Sequence, residues 1–462
     1  MLDALQKAIA AIEASGAKFG DARHEDRRTT LVRVVNGEVQ TFTSVRRQGV
    51  GIRAYVGGAW GLASTTELTA ESMRAGAAKA VKAARAEAAR GATKRPLRIP
   101  RPIRRTVAAK VGTRPEDVDP EEKVSALVAM SRAMQGANKR VASGTATYRE
   151  SVSRFSLASV AGTELSWEEV RTVCAGQAVA AENGRREFSF DAIGGTVGYE
   201  AVAGEDLEKF GARLGREAAA LLAAKAPPGG LQTMICDPHV SGLLAHEVMG
   251  HSSEGDEIVK KRSFLTGAVG TRVGTAKVTM YDDGTYTGAN GSIPFDSEGT
   301  PSHKTAIIER GVYKGYMHSL ETAGSLRAAP TGNGRAQDYA RRVWVRMTNT
   351  YFAPGRDKRE GIVEDTRDGI LTDRSLSGME DPVGGGFQAV VMMGRRIRKG
   401  EPTDLLRSFT LTGKALEVLK SVDRVSREFQ LEGGTCGKGE EDWVPVGDGG
   451  PYMRCKILVG GG

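Results

Sequence analysis

The hexapeptide His246-Glu247-Val248-Met249-Gly250-His251 holds the residues best suited to chemistry. It places two imidazoles and one carboxylate within six positions, in a chain of 462 residues that has only six histidines. Imidazole nitrogens are common metal ligands, and a carboxylate beside a bound metal can act as general base for a metal-activated water. The hexapeptide therefore predicts a metal-dependent hydrolytic centre, with a helix end carrying surface histidines as the simpler alternative.

The two histidines are five positions apart, and this spacing constrains the backbone. In the HExxH zinc motif the histidines are four positions apart and share one face of a helix. With a spacing of five, a regular α-helix would turn the second histidine about 140° away from the first. The helix must therefore widen into a π-bulge, or end at Gly250 so that His251 turns back, because glycine tolerates unusual backbone angles.

A hydrolytic zinc site usually has three protein ligands and one open position, so a third ligand is expected. Glu254 and Asp256 follow the hexapeptide closely. Far downstream, Cys436 lies in a glycine-lined segment that predicts a turn, two residues before Lys438, whose positive charge would favour the thiolate. From the local sequence alone, a metal ligand and an ordinary loop cysteine are equally good interpretations of Cys436.

These residues resemble the TldD branch of the TldD/PmbA metalloproteases. The matching segments are His246-Glu247-x-x-x-His251-x-x-Glu254-Gly255-Asp256, Pro330-Thr331-Gly332-Asn333-Gly334-Arg335, Arg346-Met347-Thr348-Asn349-Thr350-Tyr351 and Cys436-Gly437-Lys438. The resemblance implies that His246, His251 and Cys436 bind one zinc ion and that Glu247 is the catalytic base. It also implies hydrolysis of unfolded peptides or small proteins in a chamber formed by two subunits, the partner being a second copy or a metal-free paralogue.

The composition is that of a soluble globular protein, with 40% apolar and 26% charged residues. No apolar run approaches the roughly 18 residues that would span a bilayer. Residues 1–16 carry charges among their alanines and predict an amphipathic helix, not a signal peptide. Four cysteines in this length argue against a disulfide framework. We therefore expect a cytoplasmic protein without a membrane partner.

The net charge of +9 raises the question of nucleic acid. Much of the excess lies in residues 79–114, where prolines interrupt the basic residues and aromatic side chains are lacking. Such a segment offers no stacking platform for bases, and a solvated helix face followed by a basic linker is the favoured interpretation. It could instead attract acidic substrates or a partner subunit. A nucleic-acid partner is not expected.

Residues 1–226 predict an α+β domain with a duplicated pattern. A helix at 2–15, strands within 22–64 and a helix at 69–90 are followed by a helix at 120–134, strands within 140–199 and a helix at 207–224. Turns are predicted at Asn36-Gly37, Gly57-Gly58, Ala161-Gly162 and Asn183-Gly184. Two such units favour helices packed on an antiparallel sheet.

Pro227-Pro228-Gly229-Gly230 predicts a boundary, after which residues 227–462 form a second domain. Its short strands and glycine turns, for example at Gly394-Arg395, predict a barrel or sandwich that carries the metal-site helix at 238–250. The weakly periodic segment 324–355 has the character of a functional loop. Its Arg335, Asn349 and Tyr351 could contact substrate or could anchor the loop through hydrogen bonds.

Three functions remain open at this level. The favoured one is a zinc-dependent peptidase. The second is a non-catalytic peptide-binding or regulatory protein, in which Glu254 or Asp256 would complete a closed, structural four-ligand site. The third is DNA binding through the basic linker.

Overall fold

The structure is a computed structural model that describes residues 1–91 and 95–460. Lys94, which belongs to the basic segment noted above, lies outside the described residues. The chain forms two large sheets with helices packed against them, which confirms the predicted α+β class. Within the described residues, no helix combines the length and apolar character needed to cross a bilayer.

The first part of the chain alternates helices with long strands. Its helices are α1 (Leu2–Ala14), α2 (Ala70–Ala89), α3 (Pro120–Gly136), α4 (Glu200–Ala203) and α5 (Leu207–Leu221), with a 3-10 helix at Pro115–Asp117. Its strands are β1 (Phe19–Val35), β2 (Glu38–Val56), β3 (Ala59–Thr65), β4 (Arg104–Val107), β5 (Val141–Ser159), β6 (Glu164–Glu182) and β7 (Arg185–Gly195). The predicted order of helix, strands and helix therefore occurs twice, with three strands between the helices of each unit.

Tight turns join these strands. Asn36 and Gly37 connect β1 to β2 with φ of 53° and 78°, and Asn183 and Gly184 connect β6 to β7 with φ of 50° and 78°. Positive φ at both central residues matches the twist of a two-residue hairpin, and asparagine and glycine adopt it at little cost. These two of the four predicted turns are confirmed.

The seven strands of the first part form one sheet in the order β3-β2-β1-β5-β6-β4, with β7 also paired to β6. The central pair, β1 and β5, is antiparallel and joins the two units into a single sheet. Helices α1 and α2 pack against one unit and α3 and α5 against the other. In α1 the buried residues recur every three or four positions, as an amphipathic helix requires; they are Leu5, Ala8, Ile9 and Ile12.

The second part of the chain is richer in strands. Its helices are α6 (Pro238–Leu244), a π-helix (Ala245–Gly250), a 3-10 helix (His251–Ser253), α7 (Gly255–Val259), α8 (Leu320–Leu326), α9 (Arg359–Glu364) and α10 (Ala415–Ser421). Its strands are β8 (Gly230–Cys236), β9 (Met280–Asp283), β10 (Lys304–Glu309), β11 (Val312–Tyr313), β12 (Gly334–Arg335), β13 (Trp344–Val345), β14 (Asn349–Phe352), β15 (Asp368–Asp381), β16 (Gly386–Arg398), β17 (Glu401–Leu406), β18 (Phe409–Lys414), β19 (Arg424–Lys438) and β20 (Glu441–Gly460).

Eleven of these strands form the second sheet, in the order β11-β10-β9-β14-β20-β18-β16-β15-β8, with β17 on β16 and β19 on β20. Strand β8 pairs with both β15 and β20, so five strands pair in a circle. The prediction of a barrel or sandwich stays a prediction. Strand β16 continues through Gly394, where the sequence predicted a turn, because both flanking strands, β15 and β17, supply hydrogen-bond partners there.

Helix α6 and the π-helix pack against β15 and β20, and their apolar residues join the main core of the second part. Asp237 caps α6 by accepting a hydrogen bond from the His239 amide, and Pro238 occupies the first helical position. The end of β8 therefore leads directly into the helix that carries the predicted metal ligands.

A buried group of charges joins the two sheets. Arg53 of β2 forms an ion pair with Asp21 of β1 and a second one, at 3.1 Å, with Glu298 from the second part of the chain. All three side chains are almost completely inaccessible to solvent. Because an unpaired charge in such surroundings is costly, this group favours one relative placement of the two parts.

Candidate metal centre

A π-helical turn brings the two histidines of the hexapeptide together. Helix α6 ends at Leu244, and residues Ala245–Gly250 continue it with i→i+5 geometry. The wider turn places residue i+5 above residue i, and the rings of His246 and His251 lie 4.9 Å apart between centroids. Of the two backbone solutions that the spacing allowed, the π-bulge is the one observed.

Gly250 is suited to this turn because it has no side chain. Its φ of −61° and ψ of −63° are ordinary right-handed values, so Gly250 does not adopt the unusual angles that the alternative, a helix ending there, would have used. A Cβ atom at this position would come 2.1 Å from Sδ of Met347, which is buried in the core. A side chain at residue 250 would therefore push the π-helix away from its support.

Cys436 reaches the histidines from the far end of the chain. Its Sγ lies 3.5 Å from Nε2 of His251, and the ligand atoms of His246, His251 and Cys436 all lie within 4.8 Å of one another. Cys436 is part of strand β19, paired with Val444 of β20, and does not lie in the predicted glycine turn. The glycines around it are strand residues, and the turn of this hairpin follows Lys438.

The three side chains fit a zinc ion by their chemistry, and one of them has a buried ring nitrogen without a hydrogen bond among the described residues. Two imidazoles and one thiolate form the mixed nitrogen and sulfur set that zinc prefers. All three are buried, and Nδ1 of His246 has no hydrogen-bond partner among the described residues. A buried polar atom without a partner is unfavourable, so an occupant for this position is expected.

The groups around Cys436 favour its thiolate form. Burial raises the pKa of the Cys436 thiol, but His251 and His246 outweigh burial and hold that pKa well below its usual range. Burial likewise lowers the pKa of His251, while Cys436 and Glu254 raise it well above the ordinary value. The thiolate is the form of cysteine that binds metals.

The two carboxylates considered as further ligands lie on the outer side of His251. Oε2 of Glu254 is 3.3 Å from Nδ1 of His251, the ring nitrogen opposite the one that faces Cys436. Lys438 donates hydrogen bonds of 2.7 Å to Glu254 and to Asp256. Lys438 therefore neutralises this outer pair of carboxylates, and the histidines, not Lys438, favour the thiolate.

Glu247 lies beside the three candidate ligands. Burial raises the pKa of its carboxyl to about 7, although His246 and His251 lower it, and Glu380 of β15 contributes to the rise. A general base is most effective when its pKa is near the working pH. Strand β15 approaches closely at Gly378, where a Cβ atom would come 2.4 Å from Cγ of Glu247.

These residues lie in a cavity of about 530 Å³ with walls from both parts of the chain. The first part contributes Asp191 and its neighbours in β7, and the second contributes β15 and β19. Glu380, His239 and Asp448 line the cavity and were missed by the sequence reasoning. His239 lies in α6, at the start of the predicted metal-site helix, whereas Glu380 and Asp448 belong to segments without a motif, and only the fold places them at the cavity.

The residues predicted as either substrate contacts or loop anchors make anchoring contacts. Arg335 is buried and donates hydrogen bonds to the carbonyl groups of Met347 and Pro445. Nδ2 of Asn349 donates to the Asp283 carbonyl, and the Tyr351 hydroxyl lies 3.2 Å from the Asp283 carboxylate. They stabilise the segment that supports the π-helix.

Fold and site together define a mixed α+β protein with a buried cluster of two histidines and one cysteine at the floor of a cavity. The chain belongs to the PmbA/TldA metallopeptidase family. Domain 1 of that family matches residues 20–88, its central domain residues 113–225 and its C-terminal domain residues 229–461. The predicted family membership is confirmed.

Similar proteins include a metalloprotease of Methanothermobacter thermautotrophicus, 33% identical over 96% of both chains, and a metalloprotease TldD homolog of Haemophilus influenzae, 31% identical over 90% of this chain and 87% of that one. A protein of Saccharolobus solfataricus named zinc metalloprotease TldD homolog is 30% identical over 56% of this chain and 57% of its own. Among solved structures, TldE from Thermococcus kodakarensis has the same fold, with a TM-score of 0.78, 18% identity and 99% of both chains covered.

Proposed function

We propose that this protein is a zinc-dependent peptidase that hydrolyses peptide bonds in unfolded peptides or small proteins. His246, His251 and Cys436 would hold one zinc ion, and Glu247 would be the general base. The names of the relatives support this proposal, since several are metalloproteases and one is a zinc metalloprotease. Cysteine as the third ligand also favours zinc over harder metals.

The observation that carries the proposal is a set of three candidate ligands with a carboxylate beside it. The ligand atoms of His246, His251 and Cys436 lie within 4.8 Å of one another, and Glu247 lines the same cavity. A hydrolytic zinc site has three protein ligands and an open position, whereas a structural site has four. Lys438 engages the two carboxylates that could have closed the site.

Each residue then has a defined part in peptide hydrolysis. A bound zinc ion supplies Lewis acidity toward the scissile carbonyl and toward water. Glu247 accepts the proton of the attacking water and passes it to the nitrogen of the leaving amine. Glu254, held by Lys438, accepts a hydrogen bond from Nδ1 of His251 and so orients its Nε2 toward the ligand set.

The alternative, a peptide-binding protein with a structural metal, makes a different prediction for chelation. Removing a structural zinc takes part of the fold with it, because its binding energy is folding energy. Removing a catalytic zinc leaves a folded protein without activity. Circular dichroism and cleavage measured on the same chelated sample therefore separate the two functions.

Pairing with a second subunit, which would be a copy of this chain or a metal-free paralogue, stays part of the proposal.

Direct nucleic-acid binding is not part of the proposal. Arginines in and next to the basic segment are engaged within the chain: Arg95 with Glu321 at 2.5 Å, Arg104 with Glu164 at 3.5 Å, and Arg114 with Glu168 at 2.7 Å. These contacts leave fewer free cations for phosphate groups. Absence of a duplex shift at physiological salt is the expected result.

The decisive experiment combines elemental analysis with cleavage of an unstructured peptide. We expect about one zinc per chain and cleavage that a chelator abolishes. Glu247→Gln should retain the metal and lose activity by about 10²–10⁴-fold, the usual contribution of a general base. The exposed Glu401→Gln in β17 is the matched control. Cleavage that survives in Glu247→Gln would remove the assigned base.

A further inference from the structure

The cavity above the candidate ligands is acidic, although the chain as a whole carries a net charge of +9. Among its described lining residues are the carboxylates of Asp191, Glu247, Glu380, Glu432 and Asp448, and one guanidinium, that of Arg374. The buried Nδ1 of His246, which has no hydrogen-bond partner among the described residues, belongs to the lining of the same cavity and marks it as the place of a ligand. The charge of these lining residues therefore affects which ligands can bind in the cavity.

Two of these carboxylates already have side-chain partners within the protein. Asp191 lies 2.5 Å from Arg213 and 3.5 Å from Arg374. Glu432 lies 3.3 Å from Nε2 of His239. Both carboxylates are thus engaged within the protein and are less available to an incoming group.

Glu380 and Asp448 differ from Asp191 and Glu432 in their side-chain contacts. Within the described residues neither forms an ion pair with a lysine, arginine or histidine, and both are only partly exposed. The carboxylate of Glu380 also lies within 4.8 Å of the Glu247 carboxylate and of a ring nitrogen of His251. A carboxyl group without a cationic partner among the described residues therefore lies next to the proposed base.

The backbone around Glu380 fixes this position. Gly378, two residues earlier in β15, packs against the side chain of Glu247 so closely that a Cβ atom would overlap it. Residues two apart in a strand point to the same face, so Gly378 and Glu380 share the face of β15 that meets Glu247. A recognition group that a strand holds in place is more selective than one on a loop.

We propose that Glu380, assisted by Asp448, is a specificity-determining residue that selects peptides with a lysine or arginine side chain next to the cleaved bond. The proposal rests on the proposed peptidase function. An ammonium or guanidinium group bound to Glu380 forms charge-assisted hydrogen bonds in a partly buried site, where they are strong, and leaves Glu247 available as the proposed base. A glutamate side chain in the same place would meet like charge.

The test uses zinc-loaded protein and a set of quenched fluorescent peptides, blocked at both ends, that differ at one central position. We expect kcat/KM for lysine or arginine to exceed that for glutamine by about tenfold, the value of one charge-assisted hydrogen bond, and to exceed that for glutamate by more. Added salt should reduce the ratio. Glu380→Gln should bring the ratio of lysine to glutamine close to one, whereas the exposed Glu401→Gln should keep it.

The possible failures are distinguishable. If no peptide is cleaved, or cleavage persists after chelation, the proposed function itself is wrong. If all peptides are cleaved in a chelator-sensitive way with equal kcat/KM, the peptidase stands and the selectivity is overturned. A second set of the same peptides with a free amino terminus completes the test: a preference seen in that set and absent from the blocked set would assign the carboxylate to the terminus and would also overturn the proposal.

Discussion

At the scale of single residues, the candidate centre depends on groups that do not touch the proposed metal. Lys438 lies two residues after Cys436, yet its amino group contacts the Glu254 and Asp256 carboxylates and the Val345 carbonyl. It is thereby connected to His251 through Glu254. Partners of this outer kind fix the orientation of a ligand and hence its affinity for metal.

We predict that Lys438→Met weakens zinc binding by about 10- to 100-fold, the usual effect of losing an outer partner of a ligand. Without Lys438, Glu254 and Asp256 would repel each other and Glu254 would lose its fixed position. Competition with a chelating dye measures the affinity. Lys456→Met, at an exposed position of β20, is the control. Equal zinc affinity in the two variants would show that Lys438 has no such role.

His318 gives a prediction for the pH dependence of stability. Burial lowers the pKa of its imidazole to about 4, from an ordinary value near 6.5. Between these values the unfolded chain binds a proton that the folded protein does not, so stability is lost as the pH falls from 6.5 toward 4. At pH 5 the loss from this one group is about 2 kcal/mol relative to pH 7.5.

Urea unfolding at pH 7.5 and pH 5 measures this effect. His318→Gln should reduce the difference in unfolding free energy between the two pH values by about 2 kcal/mol. His303→Gln, at an exposed histidine, should leave the difference as in the unmodified protein. An identical pH dependence in all three proteins would contradict the assignment to His318.

The sequence revealed only some of these residues. The spacing of His246, Glu247 and His251 identified them because all three lie in one short helical segment. Cys436 is 185 residues from His251, and its local sequence fits a ligand and an ordinary cysteine equally well. Glu380 and Asp448 lie in strands whose sequences contain no motif that marks them. A ligand set drawn from distant segments depends on tertiary packing, which local patterns do not encode.

At the scale of elements, the two most informative ones are the π-helix and strand β19. The π-helix was predictable because a spacing of five is incompatible with two ligands on one face of an α-helix. The extended conformation of residues 433–436 was not predictable, because the glycines of this segment, taken by themselves, indicate a turn. Pairing with β20 overrides that tendency by satisfying the backbone hydrogen bonds of both strands.

Gly250 tests the packing of the π-helix. We predict that Gly250→Ala destabilises the protein by about 1–3 kcal/mol, the usual cost of overpacking a core, and lowers its zinc content. The new methyl group would overlap Met347. Gly361→Ala is the matched control, since a Cβ atom in this position of α9 has no neighbour within 4 Å and alanine favours a helix.

Urea unfolding and elemental analysis measure the two effects. The control should be as stable as the unmodified protein or slightly more stable. If Gly250→Ala behaved like Gly361→Ala, the close packing of the π-helix on Met347 would not matter for the centre.

At the scale of the whole molecule, the cavity exists because two sheets are held against each other. The α+β class, the duplicated order of the first part and its hairpin turns followed from hydrophobic periodicity and turn residues. The contacts between the two sheets did not follow from these sequence features. Arg53, Asp21 and Glu298 are ordinary charged residues in the sequence, and their burial as one group arises from long-range packing.

We predict that Glu298→Gln lowers the free energy of unfolding by about 3 kcal/mol, the lower end of the cost of breaking a buried ion pair, because Arg53 keeps Asp21 as a partner. Chemical denaturation measures the change. Glu309→Gln, which breaks an exposed pair with Lys314, should cost at most about 1 kcal/mol. Equal effects of the two substitutions would show that the buried group does not stabilise the junction.

The late position of Cys436 has a consequence for biosynthesis. Both imidazoles are translated almost two hundred codons before the thiol, and the strand that carries the thiol needs residues 441–460 as its pairing partner. A nascent chain on the ribosome therefore holds an incomplete ligand set until nearly all of these residues have emerged. For the proposed peptidase function, this order of synthesis would keep the incomplete chain from cleaving neighbouring nascent proteins.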